Sequence, residues 1–234
     1  MAEKNSEKNV GNNADDDAGN SAGNDAGNSA GNDAGNSAAY GVGSNADEGV
    51  FEDGLSEKIT ETRVVAEGRI FRYEKLKVIL PDGARSERDV VRLPGGSVIV
   101  PIDSEGYVYL VCQYRAAFDR VILELPAGRL EPGEPPEECA RRELLEETGL
   151  RAGSFKLLSS VMSSPGYSDE VLHIYLATDL DSGEADPDEG EFLNVMMFPF
   201  DEVVDMAASG DIRDAKTVAG VLLAERAMRL GADE

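Results

Sequence analysis

The stretch GRLEPGEPPEECARRELLEETGL, residues 128–150, decides how the rest of the chain is read. Pro135 and Pro136 stand where a helix tolerates proline, in its first turn, and Gly149 stands where helices stop. The spacing therefore predicts a helix over 135–148. On it, Glu143, Glu146 and Glu147 fall at i, i+3 and i+4, on one face and about 5–6 Å apart at Cβ. Ala140, Leu144 and Leu145 lie beside them and should face a core. Carboxylates crowded at the edge of a buried face are costly unless a cation neutralises them. Their oxygens are hard ligands that suit Mg²⁺ or Mn²⁺. The chain's one histidine, His173, cannot build a zinc site. Taken alone, three glutamates are better explained by a solvated acidic helix face.

The surrounding spacing goes further. Gly128, Glu134, Arg142, Glu143, Leu144, Glu146, Glu147, Gly149 and Leu150 match every defined position of the Nudix box. The stretch therefore resembles the Nudix hydrolases, which cleave a nucleoside diphosphate linked to another group. That resemblance implies an α/β fold: an α/β/α sandwich with a mixed central sheet and an N-terminal strand region. It implies that Glu143, Glu146 and Glu147 bind the metal, with the carbonyl of Ala127 facing it, and that Arg142 and Glu134 brace the loop and helix. Gly128 and Gly149 would permit the turns.

Flanking segments narrow the resemblance to the ADP-ribose pyrophosphatase subgroup. They are ELPAG at 124–128, the strand ending Gln113-Tyr114-Arg115, and SPGYSDE at 164–170. By that resemblance Arg115 meets substrate phosphate, Glu170 lies near substrate or metal, and Pro165 and Gly166 shape the substrate-binding loop. The catalytic base would come from the acidic loop containing PDEGEF, with Glu189 first and Glu191 second, acting beside Glu147. The subgroup further implies a homodimer that exchanges N-terminal strands to cover the base, with Phe71 or Tyr73 available to stack. The expected reaction is hydrolysis of ADP-ribose, or a related nucleotide sugar, to AMP and ribose 5-phosphate. Two alternatives share the fold: a pyrophosphatase for GDP-mannose or a dinucleotide, and a non-catalytic ADP-ribose sensor.

Composition sets the outer limits. The chain has 234 residues, 46 acidic and 22 Lys or Arg, for a net charge of −24. Such a polyanion is repelled by nucleic acid and by anionic membranes, so neither is an expected partner. An anionic small molecule remains compatible when metal ions bring positive charge. No apolar run approaches the roughly 20 residues of a membrane span. The start lacks an apolar signal core, and the two cysteines, Cys112 and Cys139, make no paired motif. A reducing cytoplasm is the expected location.

Residues 1–50 read as a separate acidic, low-complexity tail. AGNSAGND at 18–25 recurs at 26–33, and nothing in it can offset the roughly 1–2 kcal/mol per residue lost on ordering a backbone. Disorder is expected there. Without it, residues 51–234 keep 37 acids against 20 bases, a net of −17, so the folded domain is itself acidic. Within it, residues 51–92 supply N-terminal strands (two at 62–80), and Pro81-Asp82-Gly83 is a turn. Further strands are expected at 97–102, 107–114, 121–125, 155–160, 171–178 and 192–199, with helices at 201–209 and 214–230.

Overall fold

The computed structural model describes residues 54–183 and 192–232. Strands β1 (Lys58–Glu67), β2 (Arg72–Ile79) and β3 (Arg85–Arg92) form an antiparallel meander in that order. The expected turn at Pro81-Asp82-Gly83 joins β2 to β3: Gly83 adopts φ 85°, and its N–H donates to the Leu80 carbonyl at 2.9 Å. β3, RSERDVVR, alternates exposed with half-buried residues, and its charges suit the edge of a sheet.

The centre of the molecule is a four-stranded sheet ordered β7-β4-β9-β8, from β4 (Gly96–Pro101), β7 (Ala127–Arg129), β8 (Leu150–Met162) and β9 (Val171–Ser182). It is mixed: β4 runs parallel to β9, while β4–β7 and β8–β9 are antiparallel. Every residue of β4 is buried, the mark of a strand covered on both faces. Its side chains alternate as the pleat requires. Val98 and Val100 face the larger core, and Ile99 faces a smaller one. β9 does the same with Ile174 and Tyr175.

Helix α1 (Pro136–Thr148) covers the smaller face, where Ala140 and Leu144 meet Ile99, Tyr175 and Ala177. Helices α2 (Phe200–Ser209) and α3 (Ala215–Ala232) close the other through Phe200, Val203, Val221 and Ala224. This is the expected sandwich of helices on a mixed sheet. A second, antiparallel sheet, β10-β5-β6, comes from β5 (Tyr107–Arg115), β6 (Arg120–Glu124) and β10 (Leu193–Pro199). It contributes Val108 and Leu110 to the larger core.

Candidate active site

Proline and glycine set the limits of α1. Pro135 precedes the helix in extended geometry, Pro136 opens it, and Glu137 and Glu138 complement the positive end of the helix dipole. Gly149 closes it at φ 69°, a left-handed conformation that favours glycine, and its N–H donates to the Leu145 carbonyl at 2.8 Å.

The glutamates are then held from two sides. Arg142 donates from Nε to Glu134 Oε1 at 2.9 Å and from Nη2 to Glu134 Oε2 at 3.1 Å. The expected brace is therefore present. The same guanidinium reaches Glu143 Oε1 at 2.6 Å and Glu146 Oε2 at 2.9 Å through Nη1. The Arg142 hydrogen bond holds the Glu134 carboxyl below its usual range. Glu147 is 4 % exposed, and its Oε2 accepts the Ala127 N–H at 3.0 Å. That bond ties the last turn of α1 to the start of β7.

Gly128 has a different reason from the one the sequence suggested. A Cβ there would fall 1.8 Å from the Glu143 carboxylate. The residue makes room for a carboxylate rather than for a turn. Cys139 Sγ, buried beneath, donates to the carbonyls of Gly128 and Arg129 at 3.7 and 3.4 Å. Burial pushes its thiol up to about 11, so it stays protonated and inert.

Among the described residues, no three His, Cys, Asp or Glu side chains stand grouped as a preformed ion cage. Arg142 draws Glu143 and Glu146 to itself, and the Ala127 N–H engages Glu147. The donor chemistry nevertheless fits a hard divalent ion, with carboxylate oxygens on one helix face and backbone carbonyls beside them. The space left by Gly128 admits the Glu143 carboxylate to that position.

These groups line a cavity of about 640 Å³. Ala127, Gly128, Glu143 and Glu147 stand with Arg115, Lys216, Asp214 and Glu170 around it. The structure thus brings together most of the residues expected from sequence, with two departures. Glu146 is outside the lining and bonded to Arg142. Pro165 and Gly166 line a separate depression with Arg92 and Asp169. Glu189 and Glu191 fall outside the described residues. Ile70 reaches the main cavity, but Phe71 and Tyr73 are not in its lining.

Sequence reasoning missed a cluster behind Arg115. Glu124, the last residue of β6, is 2 % exposed. Its Oε1 accepts from Arg115 Nε at 2.8 Å, and its Oε2 accepts from Arg115 Nη2 at 2.7 Å and also from Lys216 Nζ. Burial raises the Glu124 carboxyl, yet the two cations outweigh it and hold it below its usual value. Lys216 also donates to Asp214 Oδ2 at 2.9 Å, and Asp214 accepts the Thr217 N–H at 3.0 Å. A sequence span of 92 residues separates Glu124 from Lys216, so no local spacing announces the pair. A charged residue ending the apolar run VILE is the one available hint.

A second cluster joins the N-terminal meander to the cavity's edge. Glu74, 4 % exposed, accepts from Arg72 Nε at 2.8 Å and Arg92 Nε at 2.9 Å. Arg92 Nη1 reaches Asp169 Oδ2 at 3.2 Å, and Asp169 Oδ1 accepts the Leu93 N–H at 3.0 Å. Asp169 adjoins Glu170, so the cluster fixes the loop that brings Glu170 to the cavity.

A mixed sheet sandwiched between helices thus brings an acidic helix and the basic side chains Arg115, Arg129, Arg142 and Lys216 to one cavity. The NUDIX domain profile matches residues 92–221, and the chain belongs to that family. It is 36% identical over 169 residues to the ADP-ribose pyrophosphatase of Bacillus subtilis (strain 168), covering 71% of this chain and 91% of that protein. It is 38% identical over 167 residues to a methanol dehydrogenase activator of Bacillus methanolicus, covering 70% and 90%. Among solved structures, an ADP compounds hydrolase superposes with TM-score 0.67 at 25% identity, covering 74% of this chain and 94% of that one. Among the described residues, no helix is long and apolar enough to cross a membrane.

Proposed function

We propose that this enzyme hydrolyses the diphosphate bond of ADP-ribose, or a related nucleoside diphosphate sugar, giving AMP and ribose 5-phosphate. The observation that carries this reading is one cavity shared by Glu143, Glu147 and the Ala127 backbone with the cations Arg115 and Lys216. A carboxylate helix alone would repel a diphosphate; a cation alone would bind it without breaking it. The similarity to ADP-ribose pyrophosphatases supports the choice of substrate.

When bound, a divalent ion, Mg²⁺ or Mn²⁺, would supply charge neutralisation of the diphosphate and activation of the attacking water. Glu143, Glu146 and Glu147, with the Ala127 carbonyl, are the residues that would hold it. Arg142 ties Glu143 and Glu146 together through one guanidinium nitrogen. Arg115 orients the diphosphate, Glu170 borders the substrate, and Pro165 and Gly166 shape the loop behind it. Glu189, with Glu191 as second candidate, accepts the proton of the attacking water. A homodimer would cover β1, which carries Ile59, Val64 and Val65 about half exposed.

Incubation with ADP-ribose and Mg²⁺ should release AMP. Folded protein that yields none overturns the reading. A parallel panel of GDP-mannose and dinucleotides ranks the alternatives under the same metal conditions.

A further inference from the structure

Glu124 is the most deeply buried carboxylate behind the cavity wall, and no step above uses it. Arg115 ends β5 and Lys216 lies in the first turn of α3, so each stands on a different element. Flexible side chains of this kind lose several rotors when they bind an anion, unless something has already fixed them. Glu124 supplies that fixation. It grips Arg115 side-on through Nε and Nη2, so Nη1 lies outside the pairing. Lys216 commits two of its three ammonium protons, to Glu124 and Asp214, and keeps one. Both cations line the main cavity and also a neighbouring one of about 320 Å³ that contains Glu124. The carboxylate that anchors them is 2% exposed, while Arg115 remains 40% exposed at its side chain.

A purely structural part for Glu124, stitching α3 to β6, is already filled. The Leu125 N–H donates to Thr217 Oγ1 at 2.8 Å, and Asp214 caps the first turn.

We infer that Glu124 is a positioning residue, holding Arg115 and Lys216 as a fixed pair of donors for the diphosphate of the substrate. The inference rests on the diphosphate reading above but does not depend on which group the diphosphate carries. Simple electrostatics makes the opposite prediction: deleting a negative charge near the cavity should tighten anion binding.

The test is calorimetric binding of ADP in the presence of Mg²⁺, with steady-state kinetics on ADP-ribose alongside. Glu124→Gln should weaken ADP binding about tenfold or more and raise KM by a similar factor, with kcat changed less. Arg115→Lys keeps the charge but loses the side-on grip, and should show the same KM effect. Equal or tighter ADP binding by Glu124→Gln overturns the proposal. Should that variant fail to fold, wild-type binding by Arg115→Lys overturns it instead. Wild-type protein that does not bind ADP overturns it too. Absence of AMP release, with ADP binding weakened in both variants, sinks the ADP-ribose reading and leaves this inference standing.

Discussion

Glu74 and Glu124, both buried at strands, are each gripped by two basic side chains. Around α1, by contrast, Glu134, Glu143 and Glu146 all turn to the single guanidinium of Arg142. A buried carboxylate matched by cations is complete within the polypeptide. A cluster with more acids than bases is stable only when something else brings positive charge. In a domain this acidic, charge balance at a carboxylate separates groups that hold other side chains in place from groups that await a metal ion better than the presence of acid does.

The sharpest way to break that contrast is Glu147→Gln. The amide oxygen can still accept the Ala127 N–H, so melting should stay close to wild type. Turnover should fall by about 10²–10³, the several kcal/mol that a held divalent ion supplies. Activity that survives removes Glu147 from the metal set.

Gly128→Ala should come next. Its methyl must displace the Glu143 carboxylate, which sits at the end of a flexible side chain. The fold survives, while metal affinity measured by titration drops roughly 10–100-fold, as when a ligand loses its orientation.

Glu74→Gln probes the balanced side. Arg72 and Arg92 are partly exposed, which limits the loss to about 1–2 kcal/mol, or roughly 3–6 °C in Tm. Its pH dependence has a definite sign. The Arg92 hydrogen bond holds the Glu74 carboxyl below its ordinary 4.5. Folding is therefore favoured above that value, and the advantage disappears as pH falls through the depressed one. Thermal melts of wild type and variant should differ at pH 7, begin to converge as pH drops past 4.5, and coincide only below the depressed value.

Glu137→Gln marks the lower end. Its i,i+4 pair with Arg141 is solvent-exposed on both sides and should contribute about 0.3–0.5 kcal/mol. Arg141 also lies 4.4 Å from the Phe155 ring centroid, so it keeps its place without the glutamate. A larger loss would mean that surface charge matters more here than the contrast allows.

How far the sequence could be read follows from the range of the forces. α1 was legible to within a residue because prolines, glycine and helical spacing are local signals. The box that places Glu143 and Glu147 was legible for the same reason. β3 falls within the expected strand region 51–92 but has no bounds of its own in the sequence, because its charged, edge-adapted residues lack an apolar face. The three residues of β7 are too few to show a period, and β8 begins at Leu150 instead of 155 because Gly153 reads as a break. Pro165 and Gly166 sit in a loop whose direction is set by Asp169 meeting Arg92, 77 residues away. Glu124 and Lys216 likewise meet only when the sheet and α3 come together.

The clasp between Glu74, Arg92 and Asp169 bears on where this chain can be trimmed. The family profile begins at residue 92, so a fragment cut to that boundary would retain the guanidinium and discard the glutamate that steadies it. Arg92 would then be held by Asp169 alone, on the segment that presents Glu170. A usable minimal enzyme must therefore start upstream of β2, which carries Glu74, even though the profile's boundary lies at the end of β3.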